Sequence, residues 1–132
     1  MPDEKSDKSE LINQRIQQAK ESLNDIQVLV QNKLYKIAVS RIYYGMFYML
    51  LALALKHDFH TSKHQQLLGW FNKNFINAGL IDVSIGKIVN AAYKNRSDSD
   101  YGLQHEFSEM DVITMIDDMK LFISELEKHI LD

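Results

Sequence analysis

The stretch 42-IYYGMFYMLLALAL-55 decides the fold of this 132-residue chain. It is apolar on every side of a helix apart from the hydroxyls of Tyr43, Tyr44 and Tyr48, a pattern that predicts a fully enclosed core helix. The run has fourteen residues, whereas a helix needs about 20 to span a membrane. We therefore predict a buried central helix over residues 34–57 and no membrane association.

The composition supports a helical domain around this element. The chain contains one Pro, five Gly and no Cys, so few residues interrupt helices, and a β-sandwich with many turns is disfavoured. Its length fits one domain. The lack of Cys excludes a disulfide framework, a thiolate zinc site and a cysteine nucleophile. Because the polar N-terminus lacks the apolar core of a signal peptide, we expect a cytoplasmic protein, and we predict neither cofactor nor metal.

Apolar residues spaced three and four apart predict further helices on both sides of the core helix. The predicted helices start near residues 9, 34, 61, 82 and 108, with a polar connector over residues 97–107. We expect an all-α fold, an antiparallel up-down bundle of four main helices plus one additional helix. The domain covers residues 9–132 and follows a disordered tail over residues 1–8.

Local signals indicate how these helices begin, end and pack. Ser62, followed three residues later by Gln, fits a capping box that opens the third helix, and Ser108 with Asp111 fits one that opens the fifth. Gly79 suits the left-handed position that ends the third helix. Gly45 costs about 1 kcal/mol relative to Ala inside the core helix, so we expect a close helix crossing there.

The net charge of −3 conceals an uneven distribution. Residues 1–32 carry four basic and six acidic side chains, residues 33–96 nine and two, and residues 97–132 two and ten, for net charges of −2, +7 and −8. A basic middle attracts anions such as a nucleotide or RNA. Packing of the acidic last helix beside the basic middle explains the distribution equally well.

Two arginines and a histidine in the basic middle are candidates for an anion site. Arg41 lies on the core helix, where an enclosed arginine needs a carboxylate or phosphate partner. Arg96 continues the apolar stripe of the fourth helix and is predicted to point inward, with Asp100 four residues later to orient it. His64 begins the apolar face of the third helix, where it can donate to a phosphate or act as a general base. Salt bridges alone would also explain both arginines.

Other chemistry finds little support in the sequence. His57, His60 and His64 are close together, but a helix break separates them and no Cys accompanies them, so a zinc site is disfavoured. Phosphate-loop, dinucleotide-binding, nucleophile-elbow and zinc-protease motifs are absent from the sequence. The paired Glu-x-x-His motifs of di-iron bundles are absent as well.

Taken together, these residues resemble the small stand-alone HEPN-domain proteins of bacteria and archaea. The resemblance extends over about residues 10–130 and rests on 38-AVSRIYYGMF-47, 62-SKH-64, Phe71, Phe75, Gly79 and 96-RSDSDY-101. It implies a helical bundle that forms homodimers, nucleotide binding, and partnership with a separately encoded minimal nucleotidyltransferase, as in toxin–antitoxin pairs. The ligand-binding residues that we predict are Arg41, Tyr44, His64, Arg96, Asp100 and Tyr101.

The resemblance also raises the question of RNA cleavage. Many HEPN proteins are metal-independent ribonucleases whose motif is Arg, four to six residues and then His. Arg96 matches the Arg, but Tyr101, Gly102 and Leu103 stand where the His is required, and eight residues separate Arg96 from His105. A phenol with a pKa of about 10 is a poor general base. The catalytic residues of an enzyme would therefore be Arg96 and, in place of the missing histidine, His64.

The sequence leaves three functions open. The first, which we favour, is a dimeric module that binds nucleotide or RNA phosphate and acts with a nucleotidyltransferase partner. The second is a metal-independent ribonuclease toxin in which His64 or His105 replaces the motif histidine. The third is a non-catalytic structural dimer whose arginines form internal salt bridges only.

Overall fold

The computed structural model describes the backbone of residues 4–100 and 106–131 and the side chains of residues 7–98 and 106–131. The Asp100 side chain, Tyr101 and His105 lie outside these described residues. Within them the chain forms five α-helices, the third of which continues into a π-helical turn. These elements are α1 (Glu4–Gln31), α2 (Tyr35–Lys56), α3 (His64–Phe71), the π turn (Asn72–Ile76), α4 (Val83–Asp100) and α5 (Glu109–Leu131).

Helix α2 lies at the centre and packs against α1, α3, α4 and α5. Arg41, early in α2, lies beside the last turns of α1, so these two helices run antiparallel. Lys56, at the end of α2, donates to the carbonyl of His129 near the end of α5 at 2.8 Å, so α2 and α5 run in the same direction. Helix α4 runs back between them, because Arg96 near its end contacts Tyr44 in the first half of α2. The predicted all-α, up-down bundle of four main helices plus one is confirmed.

The apolar run in α2 is the core of this bundle. Among the described helices, α2 is the one long and apolar enough to cross a membrane, and 67% of its apolar window is buried inside the protein. Burial accounts for its composition, as predicted for a core helix. The largest fully enclosed side chains include Ile42, Tyr43, Met46, Met49, Leu50 and Leu53 of α2, together with Phe71, Phe122 and Leu126 of its neighbours.

Two predicted packing details are confirmed. A Cβ on Gly45 would collide with the end of the buried Met119 side chain of α5 and would lie 3.5 Å from Ser22 Cβ of α1, so the helices do cross closely there. At the start of α5, the Ser108 backbone N–H donates to Asp111 Oδ2 at 2.9 Å, and the Asp111 N–H donates to Ser108 Oγ at 3.1 Å. This reciprocal pair is the predicted capping box.

Helix α1 begins earlier than the sequence indicated. It starts at Glu4 rather than Ser9, so residues 4–8 are helical, not part of a disordered tail. Lys8 Nζ lies 2.9 Å from Asp58 Oδ1, and this ion pair ties the first turns of α1 to the connection between α2 and α3.

The start of α3 and the end of α4 also differ from the predictions. The N-cap of α3 is Lys63, which makes no side-chain capping bond, so the predicted box at Ser62 is wrong. Thr61 Oγ1 instead accepts a hydrogen bond from the Lys63 N–H at 3.2 Å, which holds the turn before the helix. Helix α4 continues through residues 97–100, because no Gly or Pro interrupts this part of the predicted connector.

The π turn after α3 was not predicted from the sequence. The Asn77 N–H donates to the carbonyl of Asn72 at 2.8 Å, five residues earlier instead of the four of an α-helix. Phe75 in this turn is buried and packs edge-on against His57, with ring centroids 5.2 Å apart. Gly79 then adopts a φ of 78°, which confirms the left-handed termination predicted there.

Candidate functional site

His64 lies at the first position of α3 and packs into a ring of aromatic side chains from α2. Its imidazole stacks on Phe47 with ring centroids 4.1 Å apart and planes inclined by 5°. It also stacks against the fully buried Tyr43 ring at 5.5 Å and meets the Tyr44 ring edge-on at 6.0 Å. A hydrogen bond of 2.7 Å joins the Tyr43 hydroxyl to His64 Nδ1. The imidazole is therefore held in one orientation by packing and by one of its own nitrogens.

Arg96 approaches the same aromatic group from α4. Its Nη2 donates to the Tyr44 hydroxyl at 2.9 Å. Its guanidinium carbon lies 5.3 Å from the centre of the Tyr44 ring and 5.9 Å from that of Tyr43, within the range of cation–π attraction. Two adjacent tyrosines of α2 thus connect Arg96 and His64. We call Tyr43, Tyr44, Phe47, His64 and Arg96 the aromatic–arginine cluster.

The electrostatics of the cluster keep its histidine neutral. Burial lowers the pKa of His64, and the positive charge of Arg96 lowers this pKa further. Burial raises the pKa of Tyr43, and the neighbouring Tyr93 raises it as well, while Arg96 acts in the opposite direction. At neutral pH the cluster therefore presents a fixed cation beside an uncharged imidazole and a protonated phenol. Such a set can bind an anion, and the imidazole can accept a proton.

Comparison with known proteins identifies the family. The family description "HEPN domain" matches residues 12–129, which include the whole cluster. The chain belongs to the HEPN family. The predicted membership is therefore confirmed.

Relatives of this HEPN domain include proteins of Thermotoga maritima and Methanocaldococcus jannaschii. A UPF0332 protein of Thermotoga maritima is 35% identical over 127 residues, covering 96% of each chain. A protein of Methanocaldococcus jannaschii named "Putative toxin" is 32% identical over 116 residues, covering 88% of this chain and 79% of the relative. A second protein of that organism with the same description is 31% identical over 113 residues, covering 86% and 84%.

The HEPN fold brings together three of the predicted site residues. Tyr44, His64 and Arg96 belong to the cluster, and Arg96 points inward as predicted from the stripe of α4. Helix α4 reaches Asp100, so the backbone has the i,i+4 spacing that was expected. The Asp100 side chain and Tyr101 lie outside the described residues, and their roles stay predictions.

Arg41 occupies a different place from the one expected. Its side chain is 55% exposed rather than enclosed, and Asp25 Oδ2 lies 3.9 Å from its Nη1. The reason is helical rotation: Ala38 and Val39, which precede it, already face the core, whereas Arg41 lies one turn from Ile37 on the outer face, where Ile37 is 49% exposed. Arg41 nevertheless lines a cavity together with Tyr44. Tyr44 therefore belongs both to this cavity and to the aromatic–arginine cluster.

Sequence reasoning missed the residues that orient His64. Tyr43 and Phe47 were assigned to the core only, yet they form the bond and the stack that fix the imidazole. Tyr93 of α4 closes the group, with its ring 5.5 Å from that of Tyr43. The spacing of Tyr43 and Phe47, one helical turn apart on a helix that must face His64, is the signal that could have revealed them.

The other histidines belong to different surroundings. His57 packs against Trp70 at 6.2 Å and against Phe75, on a separate aromatic patch. Across the described residues, no group of three or more His, Asp or Glu side chains is arranged to hold a metal ion.

Proposed function

We propose that this HEPN protein binds the phosphate of a nucleotide or of RNA at the aromatic–arginine cluster. It acts as a cytoplasmic homodimer with a separately encoded nucleotidyltransferase, as one component of a toxin–antitoxin pair. The names of the two relatives from Methanocaldococcus jannaschii support the toxin role. The binding role rests on the cluster itself.

The oriented guanidinium of Arg96 carries the binding proposal. A guanidinium matches the geometry of a phosphate with two parallel N–H donors. The Tyr44 hydroxyl accepts a hydrogen bond from Arg96 Nη2 and so orients the guanidinium. With the Tyr43 hydroxyl on Nδ1 of a neutral His64, the other ring nitrogen can carry a proton and donate to the same anion.

The direct test is titration of ATP, GTP and a short RNA into the protein and its Arg96→Ala variant. Loss of a charge-assisted hydrogen bond corresponds to at least about a tenfold weaker affinity. Lys94→Ala is the matched control, because it removes one positive charge from an exposed position on the same helix. Equal affinity, or absence of binding, in parent and Arg96→Ala would rule out the proposal.

The proposed partner and dimer are tested separately from ligand binding. The neighbouring genes would be searched for a minimal nucleotidyltransferase, which would be co-expressed with this protein and should co-purify with it as a complex of defined mass. The protein alone should elute with the mass of a dimer. A monomer that retains no nucleotidyltransferase would contradict this part of the proposal and leave the binding test unaffected.

A ribonuclease is the second candidate, favoured by the neutral and oriented state of His64. This activity requires the tautomer in which Nδ1–H donates to the Tyr43 oxygen, because Nε2 can then remove the proton of a ribose hydroxyl while Arg96 stabilises the charge that develops on the phosphate oxygens. Purified protein would be incubated with RNA in the presence of a chelator, beside His64→Ala and, as a control, His129→Ala. Cleavage that depends on His64 but not on His129 would establish this activity, and intact RNA would exclude it.

A further inference from the structure

Two cavities along the seam between α1 and α2 adjoin the aromatic–arginine cluster. The first has a volume of about 260 Å³ and is lined by Ser22, Arg41, Tyr44 and Tyr48. Tyr44 is shared, since its hydroxyl accepts the hydrogen bond from Arg96. A ligand held by Arg96 can therefore continue over Tyr44 into this cavity.

The cation of the first cavity is available to a ligand. The side chains of Arg41 and Asp25 are 55% and 64% exposed, and their closest atoms are 3.9 Å apart. Exposed pairs of this kind contribute little and are screened by solvent. Tyr44 and Tyr48 are one helical turn apart, so both rings face the cavity beside Arg41.

The second cavity is larger, about 530 Å³, and lies between the first half of α1 and the connection after α2. Its lining includes Arg15, Phe47, Phe59 and Ser62. Phe47 is the ring that stacks on His64, so this cavity also adjoins the cluster. Arg15 donates to the neutral amide oxygen of Gln18 at 2.9 Å, a contact that leaves the positive charge of the guanidinium in place.

Each cavity thus combines one arginine with two aromatic rings. The two cavities lie on either side of the aromatic–arginine cluster, which provides a third arginine, Arg96. Grooves that bind single-stranded nucleic acids have this composition, because cations bind successive phosphates and aromatic rings stack on the bases. Lining residues of α2 extend from Arg41 to Leu55, a rise of about 21 Å at about 1.5 Å per residue. A mononucleotide would occupy only part of this length.

We infer that the seam between α1 and α2 is a binding groove for single-stranded RNA, in which Arg41 and Arg15 bind backbone phosphates that flank the phosphate at Arg96. The central phosphate rests on the function proposed above, whereas the two flanking contacts are independent of it. RNA is favoured over DNA because Tyr48 and Ser62, which carry hydroxyls that can pair with ribose 2′-hydroxyls, are among the residues that line the two cavities.

The test compares a fluorescent hexamer of uridylate with uridine monophosphate across a series of salt concentrations. The hexamer should bind at least about tenfold more tightly than the monophosphate. Arg41→Ala and Arg15→Ala should each weaken hexamer binding and reduce the slope of log affinity against log salt by about 0.7, the value for one contact to a single strand. Tyr48→Ala should weaken the hexamer about tenfold through lost stacking and leave the monophosphate unchanged.

Lys87→Ala, an exposed charge deletion on α4, is the matched control and should leave the slope unchanged. A DNA hexamer and a duplex RNA are tested beside the uridylate hexamer. The groove proposal is overturned if hexamer and monophosphate bind with equal affinity, or if both arginine variants leave the salt slope unchanged. It is also overturned if the DNA hexamer or the duplex RNA binds as tightly as the uridylate hexamer. If Arg96→Ala still abolishes monophosphate binding in that case, the function proposed above survives. If neither ligand binds the parent protein, both proposals fail.

Discussion

Tyr43→Phe isolates the hydrogen bond that orients His64. The substitution removes the hydroxyl that lies 2.7 Å from His64 Nδ1 and keeps the ring that packs against Phe47 and Tyr93. A typical hydrogen bond contributes about 1 kcal/mol net, and a partner left without its bond costs more where it is buried. His64 is half-buried, so we expect the free energy of unfolding to fall by about 1–2 kcal/mol. For a domain of this length that is a decrease of about 3–5 °C in the melting temperature for each kcal/mol.

Thermal and denaturant unfolding of Tyr43→Phe, with Tyr48→Phe as control, measure this effect. Tyr48 is half-buried on the same helix and lines a cavity, so removal of its hydroxyl should change stability by no more than about 0.5 kcal/mol. Nitrogen NMR of the imidazole adds a readout of orientation: the parent should show the proton on Nε2, since a protonated Tyr43 donates to Nδ1. Equal stability of Tyr43→Phe and the parent, or a proton on Nδ1 in the parent, would refute the reasoning.

Three further predictions concern pH, the helix crossing and the α5 cap. The pKa of His64 is lowered in the folded protein from its ordinary value of 6.5. Below pH 6.5 the unfolded chain therefore binds more protons at this residue than the folded protein does. The free energy of unfolding, measured by denaturation, should stay constant above pH 6.5 and decrease below it. His64→Gln should reduce this decrease, leaving the contribution of His57, whose pKa is also lowered; an unchanged profile would contradict the assignment. Gly45→Ala should destabilise by about 1–3 kcal/mol through overpacking, whereas Gly69→Ala, with open space around its Cβ, should stabilise by up to about 1 kcal/mol; equal effects would contradict the close crossing. Ser108→Ala should cost about 1 kcal/mol in urea unfolding, and no change would show that the cap is dispensable.

Much of the fold was predictable because each decisive signal is local. The apolar run in α2 predicted a core helix, Gly45 predicted the crossing, and Ser108 predicted the start of α5, and all three are confirmed. The box at Ser62 failed because the chain stays extended through Lys63, a backbone conformation that depends on packing of the whole connection. The π turn at Asn72–Ile76 likewise depends on tertiary contacts and leaves no distinctive sequence pattern.

The site was predictable only where helical rotation determines direction. The stripe of α4 fixed the inward direction of Arg96, because residue 96 follows Ala92 by one turn. The partners of Arg96 and His64 come from α2, which is distant in sequence, and their identity depends on how the helices are packed. Arg41 shows the limit of such reasoning: it lies on the most buried helix, yet on the outer face of that helix, while its neighbours Ala38 and Val39 face the core.

The same helix therefore provides both the core and the site, and its rotation separates the two. Tyr43 and Phe47 face inward and are 0% and 8% exposed, so substitutions there change stability and site geometry together. Arg41, Tyr44 and Tyr48 lie on the face toward the seam and are only partly buried or exposed, so their substitutions can change ligand binding while the core stays intact. A loss of RNA or nucleotide binding in variants of Arg41, Tyr44 or Tyr48 is therefore direct evidence about the site. The same loss in variants of Tyr43 or Phe47 can be interpreted only together with a measurement of stability.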